Sequence, residues 1–203
     1  RSRPAGRAGL GVGLIGSALH HGTAFVSNAA NMVTLCRILA SPVLFWLILS
    51  NPESLGTSWV AVLLGAVMAL SDLVDGLLAR SHGSTKSGAF LDPLADKIVV
   101  LGSMFALYSV GAYPWLPVLL VTIREVAISA WRSYLATKSV IVPARQAAKW
   151  KSTIQGVALL IAVAPAFENE RWIVTSTLWI AVAFTVYTGY MYLRDGTSGL
   201  DPA

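Results

Sequence analysis

Charge is what this sequence has least of. Charged residues fill 12% of its 203 positions, against about 25% in ordinary soluble domains, while hydrophobic residues reach 55%. So small a charged fraction excludes an extended, disordered chain. It also argues against a cytosolic globule, which has too little interior at this length to hide so much apolar surface. Cysteine is nearly missing as well: Cys36 stands alone in an apolar run, so no disulfide can form within the chain and a stapled secreted fold is excluded. No internal repeat and no low-complexity tract is present, which sets aside solenoids and linkers. The formal net charge is +5, but the basic residues sit at the ends of apolar runs instead of forming a stripe, and nucleic acid is not the expected partner.

What the sequence does have is long apolar runs. They fall at about 33–50, 57–79, 89–110, 113–137, 152–167 and 171–193, each bounded by a polar or Gly/Pro-bearing break. About 20 apolar residues cross a bilayer, so the pattern predicts an all-α integral membrane protein with six transmembrane helices. The fifth run is the shortest and begins among Lys149, Lys151 and Ser152. Lys and Arg are retained on the cytoplasmic side, and here they alternate. Arg80 and Lys86 lie in the second connection, and Lys138, Arg145, Lys149 and Lys151 in the fourth; the connections at 51–56 and Gly111 have none. Both termini are therefore expected in the cytoplasm, with the plasma membrane of a bacterium as the default location. Arg1, Arg3 and Arg7 followed by Leu10–Leu19 look like the start of a signal peptide, but exporting the chain there would place its most basic connections outside. Residues 1–27 are instead expected to be a flexible or interfacial arm, 28–195 the membrane catalytic domain and 196–203 a tail. Trp115, Trp131, Trp172 and Trp179, with Tyr187, Tyr190 and Tyr192, lie mostly near run ends, as belt residues at the bilayer interface do.

Charges inside the runs carry the functional signal, because each costs about 2.5–3.5 kcal/mol at mid-bilayer on insertion scales. Five of the ten acids lie in or at the ends of apolar runs: Asp72, Asp75, Asp92, Asp96 and Glu125. The spacings of three and four put Asp72 with Asp75 on one helix face and Asp92 with Asp96 on another. A short connection makes the two helices antiparallel neighbours, so the pairs confront each other. Two carboxylates about 5 Å apart repel by roughly 3 kcal/mol at an effective dielectric of 20, and four need cations between them. An all-oxygen donor set suits Mg²⁺, Mn²⁺ or Ca²⁺. A multispan cation transporter would also use such a set, but it gives no reason for the small residues and the arginine that accompany the acids.

Those accompanying positions carry a resemblance. Asp72-Leu-Val-Asp75-Gly76-Leu-Leu-Ala79-Arg80, then seven residues, then Gly88-Ala-Phe-Leu-Asp92-Pro-Leu-Ala-Asp96 resembles the signature of the CDP-alcohol phosphotransferases. The resemblance implies a six-helix bundle, commonly homodimeric, that moves a substituted phosphate from a CDP-linked donor to an alcohol and releases CMP. It also implies that Asp72, Asp75, Asp92 and Asp96 hold one or two divalent ions, Mg²⁺ or Mn²⁺, with Asp92 and Asp96 at the chemistry and Asp96 as general base. By the same resemblance Asp72, Gly76, Ala79, Arg80 and Gly88 line the site of the CDP-linked donor.

Segments outside the signature are similar to the branch of that family that makes phosphatidylglycerophosphate. They are Asn31-Met-Val-Thr34-Leu-Cys-Arg37, Thr122-Ile-Arg124-Glu125 with Ser129-Ala-Trp-Arg132, and Ala148-Lys149-Trp-Lys151-Ser152-Thr-Ile-Gln155. Gly and Thr are expected where Ala148 and Ser152 stand. That likeness implies CDP-diacylglycerol as donor, drawn from the surrounding membrane lipids, and glycerol 3-phosphate as acceptor. The residues agree: Arg124 and Arg132 differ by about 80° and 12 Å on a helix, so both can face one groove. Arg37, Arg132, Lys138, Arg145, Lys149 and Lys151 form a basic cluster suited to an acceptor bearing a phosphate, and Thr34, Arg37, Arg124, Arg132 and Lys149 are the residues expected to bind that phosphate. Inositol phosphate meets the same demand and is the alternative acceptor. For Arg124 and Glu125 the other reading is an interhelical ion pair.

Overall fold

The computed structural model describes the backbone of residues 32–82, 88–138 and 146–198, and their side chains except at 72–82, 88–93, 136, 146–149 and 196–198. The predicted arm at 1–27 and the connections at 83–87 and 139–145 lie outside the described residues. All regular structure among the described residues is helical: α1 (Met32–Leu49), α2 (Trp59–His82), α3 (Gly88–Ser109), α4 (Trp115–Thr137), α5 (Gln146–Val163) and α6 (Arg171–Ser198), with single 3-10 turns at Pro52–Ser54 and Pro165–Phe167. These six helices occupy the six apolar runs.

The bundle is turned inside out relative to a soluble one. On α1 the inward face is Thr34, Arg37, Ser41, Leu44 and Ile48, all buried and spaced three or four apart. Leu35, Leu39, Val43 and Trp46 face outward. The same reversal continues on α2, where Val60, Leu63, Val67 and Leu70 are exposed, and on α6, where buried Thr185 and Thr188 oppose exposed Phe184, Val186, Tyr187 and Tyr190. Leu39 and Leu63 are each 67% exposed while Arg37 is 5% exposed. Water does not tolerate contiguous apolar rows on this scale, whereas lipid tails do. By length and composition alone, two described stretches suffice to cross a bilayer, Met32–Leu49 and Arg171–Asp195. Trp59–Ser71 of α2 and Trp150–Val163 of α5 are shorter apolar stretches, and α4 is interrupted by Arg124, Glu125 and Arg132.

The fifth helix departs from the run read in the sequence at 152–167. It starts earlier, at Gln146, because the lysines at 149 and 151 are helical, and it ends at Val163 because Pro165 cannot continue the ladder. α6 packs along both α4 and α5, and α3 touches both as well. Their shared interior is apolar, built from residues such as Val100, Met104, Leu107, Val121 and Leu178.

At one end of the bundle the connections are tied across helices. The Ser58 amide donates to the Val163 carbonyl (2.9 Å), Thr57 Oγ1 to Glu168 Oε2 (3.3 Å), Arg171 Nη2 to the Gly111 carbonyl (2.9 Å) and the Tyr113 hydroxyl to the Ala158 carbonyl (2.9 Å). Gly56 turns the chain into α2 at φ +80°, where a Cβ would sit 2.7 Å from Ile48 Cγ2.

α1 reaches α3 through one close approach, in which the Phe45 ring lies over Gly102 so that a Cβ there would fall 2.2 Å from Cζ. Gly102→Ala is expected to cost about 1–3 kcal/mol by overpacking, and Phe45→Leu in the same chain to recover most of it. Unfolding midpoints of the detergent-solubilised proteins check both.

Candidate active site

The intervals of three and four residues between the signature aspartates fall within continuous helix, Asp72 and Asp75 on α2, Asp92 and Asp96 on α3, with Gly88 as the first residue of α3. The side chains of Asp72, Asp75, Gly76, Ala79, Arg80, Gly88 and Asp92 lie outside the described residues, and so does their expected convergence. Asp96 is described, and it is half-buried at the edge of a cavity.

The cavity has a volume of about 150 Å³ and takes its walls from four helices. α3 contributes Asp96 and Lys97; α4 contributes Arg124, Glu125, Ile128, Ser129 and Arg132; α5 contributes Lys151 and Ser152; α6 contributes Tyr192. The two arginines expected to share a groove both line it, because 124, 128 and 132 follow one another by successive turns on one face of α4. Thr34 and Arg37 do not line it; both are buried on the inward face of α1. The Lys149 side chain lies outside the described residues.

Within this cavity the charges are not equivalent. Glu125 Oε1 accepts from Arg124 Nη1 at 2.9 Å and from Lys151 Nζ at 2.5 Å, so one carboxylate oxygen joins α4 to α5. The second terminal nitrogen of Arg124 donates to Thr188 Oγ1 at 2.8 Å. The Thr188 hydroxyl in turn donates a hydrogen bond to the Phe184 or Thr185 carbonyl, as a hydroxyl in an apolar helix must. One turn further along, Gln155 Nε2 donates to Thr185 Oγ1 at 2.9 Å and ties α5 to α6 again. Arg124 Nε has no hydrogen-bond partner among the described residues; it lies against Gly189, where a Cβ would come within 3.1 Å of Nε and 3.2 Å of Cγ. Glycine there is what lets the arginine lie flat against α6. The Arg124–Glu125 pair is thus part of a three-helix ion and hydrogen-bond network.

Arg132 is held differently. Its guanidinium carbon stands 5.8 Å from the centre of the Tyr192 ring, a cation–π arrangement that fixes its position without occupying its donors. Tyr192 is 8% exposed, which corrects its reading as a belt residue: the ring turns inward and supports an arginine. Trp131 likewise turns partly inward and stacks on Tyr134 with ring centres 5.7 Å apart. Among the site residues that the sequence motifs do not include are Lys97, Tyr192, Thr188 and Gly189. Lys97 bears the same sign of function as the aspartates, a charge in an apolar run; Thr188 and Gly189 carry no local signal at all.

Comparison with known proteins gives a concordant result. The sequence profile of the CDP-alcohol phosphatidyltransferase family matches residues 27–187. A probable phosphatidylglycerophosphate synthase of Mycobacterium tuberculosis is 33% identical over 180 residues, covering 86% of each chain. CDP-diacylglycerol–glycerol-3-phosphate 3-phosphatidyltransferases of Bacillus subtilis and Cereibacter sphaeroides are 34% and 31% identical, covering 85% and 81% of this chain and 97% and 93% of theirs.

Removing the shared carboxylate leaves two cations buried with no anion. Glu125→Ala is expected to destabilise the protein by about 3–5 kcal/mol. Unfolding in detergent measures it, and a loss below about 1 kcal/mol contradicts a network that holds three helices together.

Proposed function

The chain belongs to the CDP-alcohol phosphatidyltransferase family, and from that premise we propose that it transfers the phosphatidyl group of CDP-diacylglycerol to glycerol 3-phosphate, giving phosphatidylglycerophosphate and CMP. The observation that carries the acceptor is the company Asp96 keeps. An alcohol whose hydroxyl reaches Asp96 has Lys97 and Arg132 within the same small cavity to receive a phosphate. Free choline or ethanolamine brings no anion to cations so placed, and free serine, with one carboxylate, needs less positive charge. Inositol phosphate has, but the relatives' names favour glycerol 3-phosphate. A cation transporter is not supported by the family.

In this reading the primary hydroxyl of glycerol 3-phosphate gives its proton to Asp96 as its oxygen attacks the phosphorus bearing diacylglycerol. The bond from that phosphorus to the oxygen bridging to the cytidine-bearing phosphate breaks, and CMP departs. By the family likeness Arg80 would meet the negative charge that gathers on it, and Gly76, Ala79 and Gly88 would line the nucleotide's pocket. The family is divalent-metal dependent, and the all-oxygen donor set of Asp72, Asp75, Asp92 and Asp96 fits a hard ion; one or two Mg²⁺ or Mn²⁺, when bound, supply positive charge to the donor pyrophosphate. Of the residues that the family likeness adds to the acceptor side, Thr34 and Arg37 are not among those that line this cavity, and the Lys149 side chain is outside the described residues.

All six helices cross the bilayer, with the cavity and both termini on the cytoplasmic side of a bacterial plasma membrane and the catalytic domain spanning 28–195. The basic residues support this: Arg132, Lys138, Lys149, Lys151 and Arg194 gather at the cavity end, while the 51–56 connection at the other end has none. Acyl chains then remain in the inner leaflet while the headgroup enters the bundle. The working form is a homodimer, as in the family at large.

CMP release from CDP-diacylglycerol in detergent, compared across glycerol 3-phosphate, inositol phosphate and free alcohols, tests the assignment; release with glycerol 3-phosphate alone is expected. Chelation of divalent ions should abolish it. Asp96→Asn is expected to lower turnover by about 10²–10⁴-fold at normal expression, and unimpaired turnover removes the base. Arg132→Ala should raise KM for the acceptor by about tenfold, the worth of one charge-assisted hydrogen bond, with little change for the donor.

A further inference from the structure

We propose that Lys97 is the residue that makes a phosphate on the acceptor obligatory: with Arg132 it clamps a phosphate monoester dianion, while Arg124 and Lys151 act only as supports through Glu125. The inference rests on the transferase reading above and assigns a specificity-determining role within it.

The argument starts from charge. Four cations line the cavity, Lys97, Arg124, Arg132 and Lys151, against two carboxylates, Asp96 and Glu125, a surplus of two positive charges. Glu125 and Lys151 are buried, whereas Lys97 is half-buried and Arg132 exposed, so the cations that an entering anion meets are Lys97 and Arg132. A phosphate monoester carries close to two negative charges near neutral pH. A neutral alcohol brings none.

Hydrogen bonding then divides the cations. Arg124 commits both terminal nitrogens, to Glu125 and Thr188, and turns its Nε toward the α6 backbone at Gly189. Lys151 is buried with its ammonium on Glu125. Neither Lys97 nor Arg132 has a salt bridge among the described residues. The charges that face Lys97 are Glu125 and Asp96, both already claimed in this scheme, and the cations Arg132 and Lys151. Arg132 is steadied by the Tyr192 ring, which leaves its donors to a ligand.

Position supplies the rest. Lys97 follows Asp96 directly on α3, and consecutive Cα atoms are about 3.8 Å apart. Their side chains diverge by about 100° around the helix, yet both line the cavity, so the group that takes the hydroxyl proton and the group that takes the phosphate border it from one rigid helix. A three-carbon acceptor can reach both at once, and one lacking the phosphate loses its hold at the Lys97 end.

The test uses the full chain in detergent with CDP-diacylglycerol as donor, and glycerol 3-phosphate or glycerol as acceptor. Lys97→Met is expected to raise KM for glycerol 3-phosphate at least about tenfold and to shift the donor KM less than about threefold. The preference for glycerol 3-phosphate over glycerol should shrink by the same factor, a ratio that a merely structural role would not move. Lys97→Arg should recover wild-type KM to within about threefold, since it restores the charge. If Lys97→Met lacks a cooperative unfolding transition, Lys97→Gln replaces it. Inorganic phosphate gives a second readout: it competes with glycerol 3-phosphate in the wild type, and its inhibition constant rises in parallel in the neutral variants. Wild-type turnover with an unchanged acceptor KM in Lys97→Met or Lys97→Gln overturns the Lys97 assignment alone, as does an equal rise for donor and acceptor. Absence of CMP release from the wild type with glycerol 3-phosphate overturns the transferase reading itself.

Discussion

One carboxylate oxygen on α4 answers two buried cations, and much of the bundle follows from that. Glu125 accepts from Arg124 beside it and from Lys151 on α5, and Arg124 continues to Thr188 on α6. In an apolar environment none of these groups can be left alone, so the register of three helices is set by the need to satisfy them together. Packing of Val, Leu and Ala against one another would permit neighbouring registers; a two-cation, one-anion contact does not. The same contact leaves a net positive charge beside the signature, so the residues that hold the helices also set the electrostatic character of the cavity.

The reversal of polarity between surface and interior gives this network its setting. Apolar rows on α1, α2 and α6 face outward, and polar side chains face inward where they find one another. Small residues then decide how closely the helices approach. Gly102 admits the Phe45 ring, and Gly189 admits the Arg124 side chain. The first is a packing contact; the second brings a charged group close enough to α6 to reach Thr188. Without both kinds of approach the bundle would have the right composition and the wrong interior.

The positions of the helices were legible because apolar runs and their breaks are local features, and the signature was legible because all its residues lie within one stretch of chain. The ends of α5 were less so: Lys149 and Lys151 look like loop residues until Glu125 is known to lie opposite Lys151, and the stop at Pro165 comes before the apolar run itself ends. Spacing alone placed Arg124 and Arg132 in one groove, as found. Their different roles were not visible, because what separates them is the partner each meets on α6, Thr188 and Gly189 for one and the Tyr192 ring for the other. Those partners lie some sixty residues away in sequence. Tyr192 shows the limit most plainly, since a tyrosine near the end of an apolar helix reads as an interfacial anchor whether it turns out or in.

The two ends of the bundle are built unequally. Where α1 meets α2, α3 meets α4 and α5 meets α6, four cross-connection hydrogen bonds close the structure, among them Arg171 to Gly111 and Ser58 to Val163. At the opposite end α3, α4, α5 and α6 border the cavity, and the bonds between helices there run through ionised side chains, Lys151 to Glu125 and Arg124 to Thr188. One end is thus closed chiefly by bonds to main-chain carbonyls and the other by side chains that share a single anion. The second depends on ionisation, so neutralising a charge there slackens the helices around the cavity while the far end keeps its ties.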